Sequence, residues 1–456
     1  MNSMKNSLSA RRGLYRELSV LMLPIVLQNL LSAVVNSADV FMLSSVSQDA
    51  LSASSLAGQI TFVFTLFHWS VTTGATIMAA QYYGKRDMTV IRQVQGLGVL
   101  LMLIVAAVIC GACMTVPQLL MRIFTSDPVL IALGADFLRV LALSYLPMGA
   151  TQVILSIFKS MGQTRLSAGI TTLCLLCNVT LNFISIRVLF PHDPRMAMLG
   201  VAAATVIARA GELILCLAAI RRGRGVPIEP GDCVSVPRWV IRDFAEYTLP
   251  VQANNLIYGL AMAALTAIMG HMSSDMVSAN AIASNLRELV SVACMALGTA
   301  GSILLGQEMG AGRLREAKSL GRILMWLSLI LGAAAGALLM LIRTPVVRLS
   351  GLEGEAAKLL EMMIPICAVY CIGRSYNSCL ISGVFCAGGD TRFGVILDTI
   401  TMWVIVLPLS YLAAFVMRWP SVVIYMFLNL DEFVKMIPSA WRFTRYRWLR
   451  NLTREA

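Results

Sequence analysis

Long apolar stretches recur about twelve times along this chain, and they constrain its fold more than any other feature. Each is near or above the ~20 residues that cross a bilayer as a helix, and no extended polar segment separates them. Because backbone polar groups inside a bilayer must be satisfied within the segment itself, spans of this kind are helices. The sequence therefore predicts an all-α polytopic membrane protein with about 12 transmembrane helices. The predicted spans are 18–44, 56–82, 94–117, 138–158, 167–190, 199–220, 244–271, 277–307, 319–342, 361–386, 393–416 and 419–441.

The formal net charge of +12 is distributed unevenly along the chain. If the N-terminus is placed in the cytoplasm, most of the 36 Lys and Arg fall in the N-terminal segment, in alternate connections and in the C-terminal tail. Cytoplasmic loops of membrane proteins carry this excess of basic residues. We therefore expect both termini in the cytoplasm. The same distribution explains the basic charge without a nucleic-acid partner.

Two halves of the sequence resemble each other. Leu23–Pro24 recurs as Leu249–Pro250, and Gly162–Arg165 recurs at nearly the same offset as Gly389–Arg392. An even number of spans in each half puts both halves in the same orientation, which makes them parallel repeats about an axis along the membrane normal. The sequence predicts two six-helix bundles around a central cleft, with a Gly- and Pro-rich connection between them. The expected boundaries are an N-terminal lobe at 1–222, a cytoplasmic linker at 223–242 and a C-terminal lobe at 243–456.

Asp39 is an acid inside the first span, and the repeat is broken at this position. Its counterpart, at the offset that relates Pro24 to Pro250, is Leu265. A carboxylate near the middle of a membrane helix costs about 2.5–3.5 kcal/mol on insertion scales, so it persists with a partner or a function. Asn178 and Asn182 lie four residues apart on one face of span five, and Thr205 lies early in span six. A carboxylate with amide and hydroxyl oxygens suits a small cation, and the acid alone can carry a proton.

Structural roles stay open for each member of this set. Asp39 can be a protonated carboxyl that is hydrogen-bonded inside the bundle. A lone Asn in a membrane span commonly forms a hydrogen bond between helices, and the hydroxyl of a Thr in a span commonly forms a hydrogen bond within its own helix. We nevertheless expect Asp39, Asn178, Asn182 and Thr205 to form a site for a coupling ion, H⁺ or Na⁺, with no other metal.

Further polar residues in the spans are candidates for lining the cleft or contacting substrate. Charged residues elsewhere are interpreted as structural pairs: Arg209 with Glu212, and Lys435 with Asp431 or Glu432, at helical spacing. The candidate cleft or substrate residues are Gln28, Asn36, Gln252, Asn255, Arg287, Glu288 and Asn377.

Taken together, these features resemble the MATE (multidrug and toxic compound extrusion) transporters over nearly the whole chain. The motifs that carry the resemblance are Leu23–Pro24 with Asp39, Gly74 with Gln81–Gly84, Asn178 with Asn182, Gly306–Arg313, Gly388–Arg392 and Trp448–Arg450. The resemblance implies twelve helices in two lobes and export of organic, often cationic compounds driven by H⁺ or Na⁺. It also places the family's N-lobe acid on Asp39. Some members carry further acids in spans seven and ten; here those stretches offer Gln252, Asn254, Asn255 and Asn377, so the resemblance gives no expectation of a second ion site.

The function expected from the sequence is secondary active export of small amphipathic, often cationic drugs or toxins by alternating access. The alternative within the same superfamily is a lipid-linked oligosaccharide flippase, which tends to place several basic residues in its cavity; only Arg287 and Arg374 are candidates here. A membrane protein without transport activity is a further alternative. An enzyme is not expected, because the three His residues have no metal-ligand spacing. We expect no cofactor, a monomer, and partners limited to small organic substrates and the lipid bilayer.

Overall fold

A computed structural model describes residues 2–44, 46–227, 231 and 236–454. Within its helices, the side chains of residues 2–12, 15, 36, 37, 39 and 40 lie outside the described part. The described residues are mostly helical and contain no strand. The predicted all-α fold is therefore confirmed.

Eleven helices in the described part of the chain are long and apolar enough to cross a membrane. Each overlaps one of the first eleven predicted spans, and most extend a few residues beyond it. A short helix, α4 (Pro117–Arg122), connects the third and fourth of them. The eleven are α1 (Asn2–Ser44, apolar over Arg16–Val35), α2 (Gln48–Lys85), α3 (Met88–Thr115), α5 (Pro128–Ser160), α6 (Thr164–Leu189), α7 (Pro194–Arg224), α8 (Arg238–Met272), α9 (Ser274–Gly310), α10 (Leu314–Leu349), α11 (Gly354–Phe385) and α12 (Thr391–Val416).

The twelfth predicted span is broken into two shorter helices, α13 (Ser421–Leu428) and α14 (Asp431–Thr444). Asn429 ends the first, and its side-chain amide donates to the carbonyl oxygen of Tyr425 at 2.8 Å. Asn side chains that bond nearby backbone in this way compete with the helical hydrogen-bond pattern. The second helix begins with two acids, Asp431 and Glu432, which the positive end of the helix dipole favours. The break therefore places polar side chains in the middle of an apolar segment.

The sequence repeat is also a repeat of local backbone geometry. Gly162 and Gly389 both adopt a left-handed backbone, with φ of 80° and 72°. In each turn, the N–H of the following residue donates to the carbonyl five residues earlier, at 2.8 and 2.9 Å. Ser47 and Ser273, which occupy equivalent positions in the two halves, both cap a helix by accepting from the N–H three residues later, at 3.0 and 3.1 Å. Equivalent turns and caps at matching positions support two parallel repeats.

Contacts group the chain into two compact units. The first unit is Leu27–Thr248. Its core is built on α2, α3 and α5, where the rings of Phe64 and Tyr145 have centroids 5.1 Å apart and the Thr61 and Tyr145 hydroxyls are 2.9 Å apart. The helices α6 and α7 pack against each other in this unit and carry its polar side chains.

The second unit combines Met1–Val26 with Leu249–Ala456. Leu18, Leu21 and Ile25 of α1 are buried in one of its apolar cores. The helices α10 and α11 pack closely because Gly332 and Gly336 carry no side chain: a Cβ on Gly336 would lie 2.4 Å from a backbone oxygen of α11. The lobe boundaries expected at 222 and 243 stay a prediction.

The C-terminal tail, which the sequence predicts to be cytoplasmic, packs against the rest of this second unit. Trp448 is fully buried and stacks on Phe443 with ring centroids 5.6 Å apart. Arg442 forms two hydrogen bonds to the carboxylate of Asp390, at 2.7 and 2.8 Å. The carbonyl oxygen of Trp448 occupies the space that a Cβ on Gly388 would need.

Candidate functional site

Three of the four residues predicted to form the ion site meet between α6 and α7. The side-chain amide of Asn178 donates to Thr205 Oγ1 at 3.4 Å, and that of Asn182 donates to Asn178 Oδ1 at 3.5 Å. The Thr205 hydroxyl in turn donates to the carbonyl of Val201 at 3.1 Å, which fixes its direction. Asn178 and Asn182 are both buried. The spacing of four on α6 and the position early in α7 thus bring three oxygen-bearing side chains together, which we call the amide cluster.

The fourth residue, Asp39, lies in the last turns of α1, as does Asn36. The side chains of both lie outside the described part of the structure. The role of Asp39 in the ion site and that of Asn36 in the cleft therefore stay predictions.

A second group of buried polar side chains lies between α6 and α7, with contributions from α1 and α5. Glu212 of α7 is fully buried, and its carboxylate accepts from Arg209 Nη1 at 2.9 Å and from the hydroxyls of Thr171 and Thr151 at 3.3 and 3.5 Å. The amide of Gln28, from α1, donates to Thr171 Oγ1 at 3.3 Å. We call these residues the carboxylate cluster. The predicted Arg209–Glu212 pair is present, and Gln28, a candidate for the cleft, is buried against Thr171.

The sequence analysis did not single out Thr171. It lies seven residues before Asn178, so it faces the same side of α6 two turns away. Glu212 has the same spacing from Thr205 on α7. A search for polar residues at intervals of four and seven on neighbouring spans would have found Thr171 and related it to Glu212.

The unit formed by Met1–Val26 and Leu249–Ala456 contains a larger buried network around Lys435. The Lys435 ammonium lies 3.0 Å from Asp398, 3.1 Å from Asp431 and 3.9 Å from Glu432. The side-chain amide of Asn254 donates to the other oxygen of Asp398 at 2.8 Å. Burial of an ammonium with three carboxylates is stable only while the charges stay paired. The expected pairing of Lys435 with the two acids of its own helix is therefore accompanied by a third acid from α12.

Two of the candidate cleft residues participate in this buried polar region. Arg287 donates to Asn429 at 2.6 Å and lies over the ring of Tyr370, 4.6 Å from its centroid. Asn377 donates to the backbone oxygen and to a carboxylate oxygen of Glu432, at 2.6 and 2.8 Å.

Three other candidate cleft residues are less enclosed. Glu288 accepts from Arg374 at 2.9 Å. Gln252 and Asn255 are half-buried on α8. Whether any of the seven candidates contacts a substrate stays a prediction.

Comparison with known proteins identifies the family. The sequence model of the MatE family matches residues 24–184 and again residues 250–412. The two matches begin at Pro24 and Pro250, the prolines that mark the start of the sequence repeat. The chain belongs to the MatE family.

Relatives and solved structures agree with this assignment over most of the chain. The MATE-family chain is 23% identical over 431 residues to the uncharacterized transporter YisQ of Bacillus subtilis, covering 93% of each chain. It is 24% identical to the probable multidrug resistance protein NorM of Halalkalibacterium halodurans, covering 87% of this chain and 86% of that one.

Two solved structures share the fold, each covering 95% of this chain and 96% of the other. One is MATE in the straight conformation, at a TM-score of 0.86 and 17% identity. The other is an outward-facing multidrug resistance MATE family transporter of the MOP superfamily, at 0.86 and 18%. The predicted family and fold class are thus confirmed, and the protein is a membrane transporter of the MATE family.

Proposed function

We propose that this MATE-family protein exports small amphipathic, often cationic organic compounds in exchange for H⁺ or Na⁺. Asp39, Asn178, Asn182 and Thr205 bind the coupling ion. The protein works as a monomer in a bacterial inner membrane with both termini in the cytoplasm. An ion drives such a cycle only through its different affinity for the two access states.

The contact of Asn178 with Asn182 and Thr205 is the observation that carries the proposal. Among the described side chains, the amide of Asn178 donates to Thr205 Oγ1 and the amide of Asn182 donates to Asn178 Oδ1, so three oxygen-bearing side chains lie together, and both Asn residues are buried. Hard oxygen ligands suit Na⁺, and the Asp39 carboxyl supplies either the anionic ligand or the proton. A purely structural role for two Asn residues would not need an acid in the predicted span 18–44.

The flippase alternative gains no support from the two candidate basic residues. Recognition of a lipid-linked phosphate favours Arg side chains whose fork is free for bidentate hydrogen bonds. Arg287 already donates to Asn429, and Arg374 already donates to Glu288. These contacts favour the exporter.

Transport by purified protein in proteoliposomes tests the proposal. Ethidium is the probe, and pH and Na⁺ gradients are imposed separately. Asp39→Asn, which is nearly isosteric and cannot exchange a proton, should abolish gradient-driven export while ethidium still binds. Asn178→Ala should weaken export about tenfold, within the usual range of coupling free energies, because water can replace part of the ligand set.

Thr180→Ala is the matched control, since Thr180 lies on α6 between the two Asn residues but is exposed, and its hydroxyl donates to the carbonyl oxygen of Leu176 on its own helix at 2.8 Å. It should transport normally. Normal gradient-driven export by a folded Asp39→Asn protein would refute the proposal and leave Asp39 as a structural acid.

A further inference from the structure

In the Leu27–Thr248 unit, the neighbouring helices α6 and α7 carry polar side chains at two corresponding heights along their axes. On α6 they are Thr171 and Asn178, and on α7 they are Glu212 and Thr205, in both cases seven residues apart. At 1.5 Å per residue, this spacing separates the carboxylate cluster from the amide cluster by about 10 Å along both helices. Gln28 connects α1 to the carboxylate cluster, and the same helix continues to Asp39.

Glu212 is more enclosed than an ordinary structural ion pair requires. Its side chain is 0% exposed, whereas that of Arg209 is 27% exposed. Ionisable residues inside membrane segments are expensive and mark ion or proton pathways unless their pairing alone explains them. Arg209 lies on the same helix as Glu212, so their pair connects no helices. The hydroxyls of Thr171 and Thr151 connect the carboxylate to α6 and α5.

In the hydrogen bonds that join Gln28, Thr171 and Glu212, the donor is in each case on the Gln28 side and the acceptor on the Glu212 side. Gln28 Nε2 donates to Thr171 Oγ1, and the Thr171 hydroxyl donates to Glu212 Oε1. In this direction Glu212 Oε1 is the final acceptor, as a carboxylate oxygen is. Gln28 lies at the other end of this series of hydrogen bonds. Among the described residues, its buried Oε1 atom has no hydrogen-bond partner. Leaving a buried acceptor unsatisfied costs about 1–3 kcal/mol.

The opposite direction would satisfy that acceptor and would take the Gln28 amide nitrogen away from Thr171, so each direction leaves one atom of the amide without this hydrogen bond. If a proton adds to Glu212 Oε1, the new O–H donates to Thr171 Oγ1. The Thr171 hydroxyl hydrogen then points toward Gln28, whose amide must reverse so that Oε1 accepts it. Glu212 Oε2 continues to accept from Arg209. Release of the proton from the same oxygen restores the first direction.

We infer that Glu212 is a second proton-binding residue of this transporter, and that Thr171 and Gln28 transmit its protonation to α1, the helix that carries Asp39. The inference rests on the proposed function, since it adds a proton site to the same transport cycle. The ionisable groups around Glu212 are Arg209 and Cys216 on α7, Lys159 on α5 and Cys174 on α6, with His68 of α2 facing Arg209 and Lys159. Of these groups, Arg209 forms the ion pair with Glu212, at 2.9 Å.

Infrared difference spectroscopy of the full-length protein in lipid, between acid and neutral pH, tests this inference directly. The wild-type spectrum should contain a protonated-carboxyl C=O band that Glu212→Gln removes and Asp39→Asn retains. Thr171→Val keeps the acid but deletes its hydrogen-bond partner, so the same band should shift in frequency. Thr180→Val, on the exposed face of α6, should leave the spectrum unchanged.

Ethidium export provides the second measurement. Gln28→Leu removes the connection to α1 and should keep the Glu212 band while lowering proton-driven export about tenfold. Carboxyl bands that are identical in wild type, Glu212→Gln and Thr171→Val would overturn the inference. If Glu212→Gln fails to fold, an unshifted band in Thr171→Val overturns it alone. Neither result affects the Asp39→Asn test, so the two proposals fail separately.

Discussion

Replacing Lys435 with Met should destabilise the unit formed by Met1–Val26 and Leu249–Ala456. The ammonium is 4% exposed and lies within 4.0 Å of three carboxylates. Met has a similar length and leaves little cavity, so the change isolates the charge. Three acids that are nearly or fully buried would then face one another without their common partner.

Removing one partner of a buried ion pair costs about 3–5 kcal/mol, because the remaining charge stays desolvated. For a unit of this size, each kcal/mol lowers the unfolding temperature by roughly 2–4 °C. We therefore expect Lys435→Met to unfold about 10 °C below the wild type. The double variant Lys435→Met, Asp431→Asn should recover part of this loss, since it removes one of the uncompensated carboxylates.

Thermal unfolding of purified protein in detergent, followed by the fluorescence of a thiol-reactive dye that labels newly exposed Cys, measures the shift. Lys358→Met is the matched control: Lys358 is 72% exposed and lies 4.0 Å from Glu355. Exposed pairs contribute about 0–1 kcal/mol, so this control should unfold near the wild-type temperature. Equal unfolding temperatures for Lys435→Met and Lys358→Met would refute the reasoning that the network holds the unit together.

Three further predictions concern packing and topology. Gly336→Ala should cost about 1–3 kcal/mol of stability, because its Cβ would lie 2.4 Å from a backbone oxygen of α11, whereas Gly259→Ala, with nothing within 4 Å, should be neutral in the same unfolding assay. Trp448→Ala should cost about 3–5 kcal/mol, since the indole is fully buried; unfolding at the wild-type temperature would show that the tail adds nothing. In a background without reactive thiols, a Cys at Asp193 should react with an impermeant reagent from outside and one at Gly223 should not; the reverse pattern would invert the proposed topology.

The sequence alone determined the fold class and the repeat. Backbone hydrogen bonding inside a bilayer leaves helices as the solution for apolar segments of this length, so the approximate positions of eleven of the twelve predicted spans followed from composition, whereas the twelfth is broken. The repeat followed from identical turn residues at equivalent positions, because Gly162 and Gly389 take a backbone that other residues rarely adopt. Helical spacing also placed Asn178 with Asn182, and Arg209 with Glu212, since these contacts depend on one helix.

The contacts between helices were decided only by the tertiary structure. The contact of Thr171 with Glu212 depends on the orientation of α6 and α7 about their helix axes. The sequence of one helix does not determine the orientation of the other. The association of Asp398 with Lys435 depends likewise on α12 packing against α14, and the break at Asn429 is stabilised by Arg287 from a distant span. Spacing along one chain fixes which residues share a face, whereas packing of side chains across several helices fixes what that face meets.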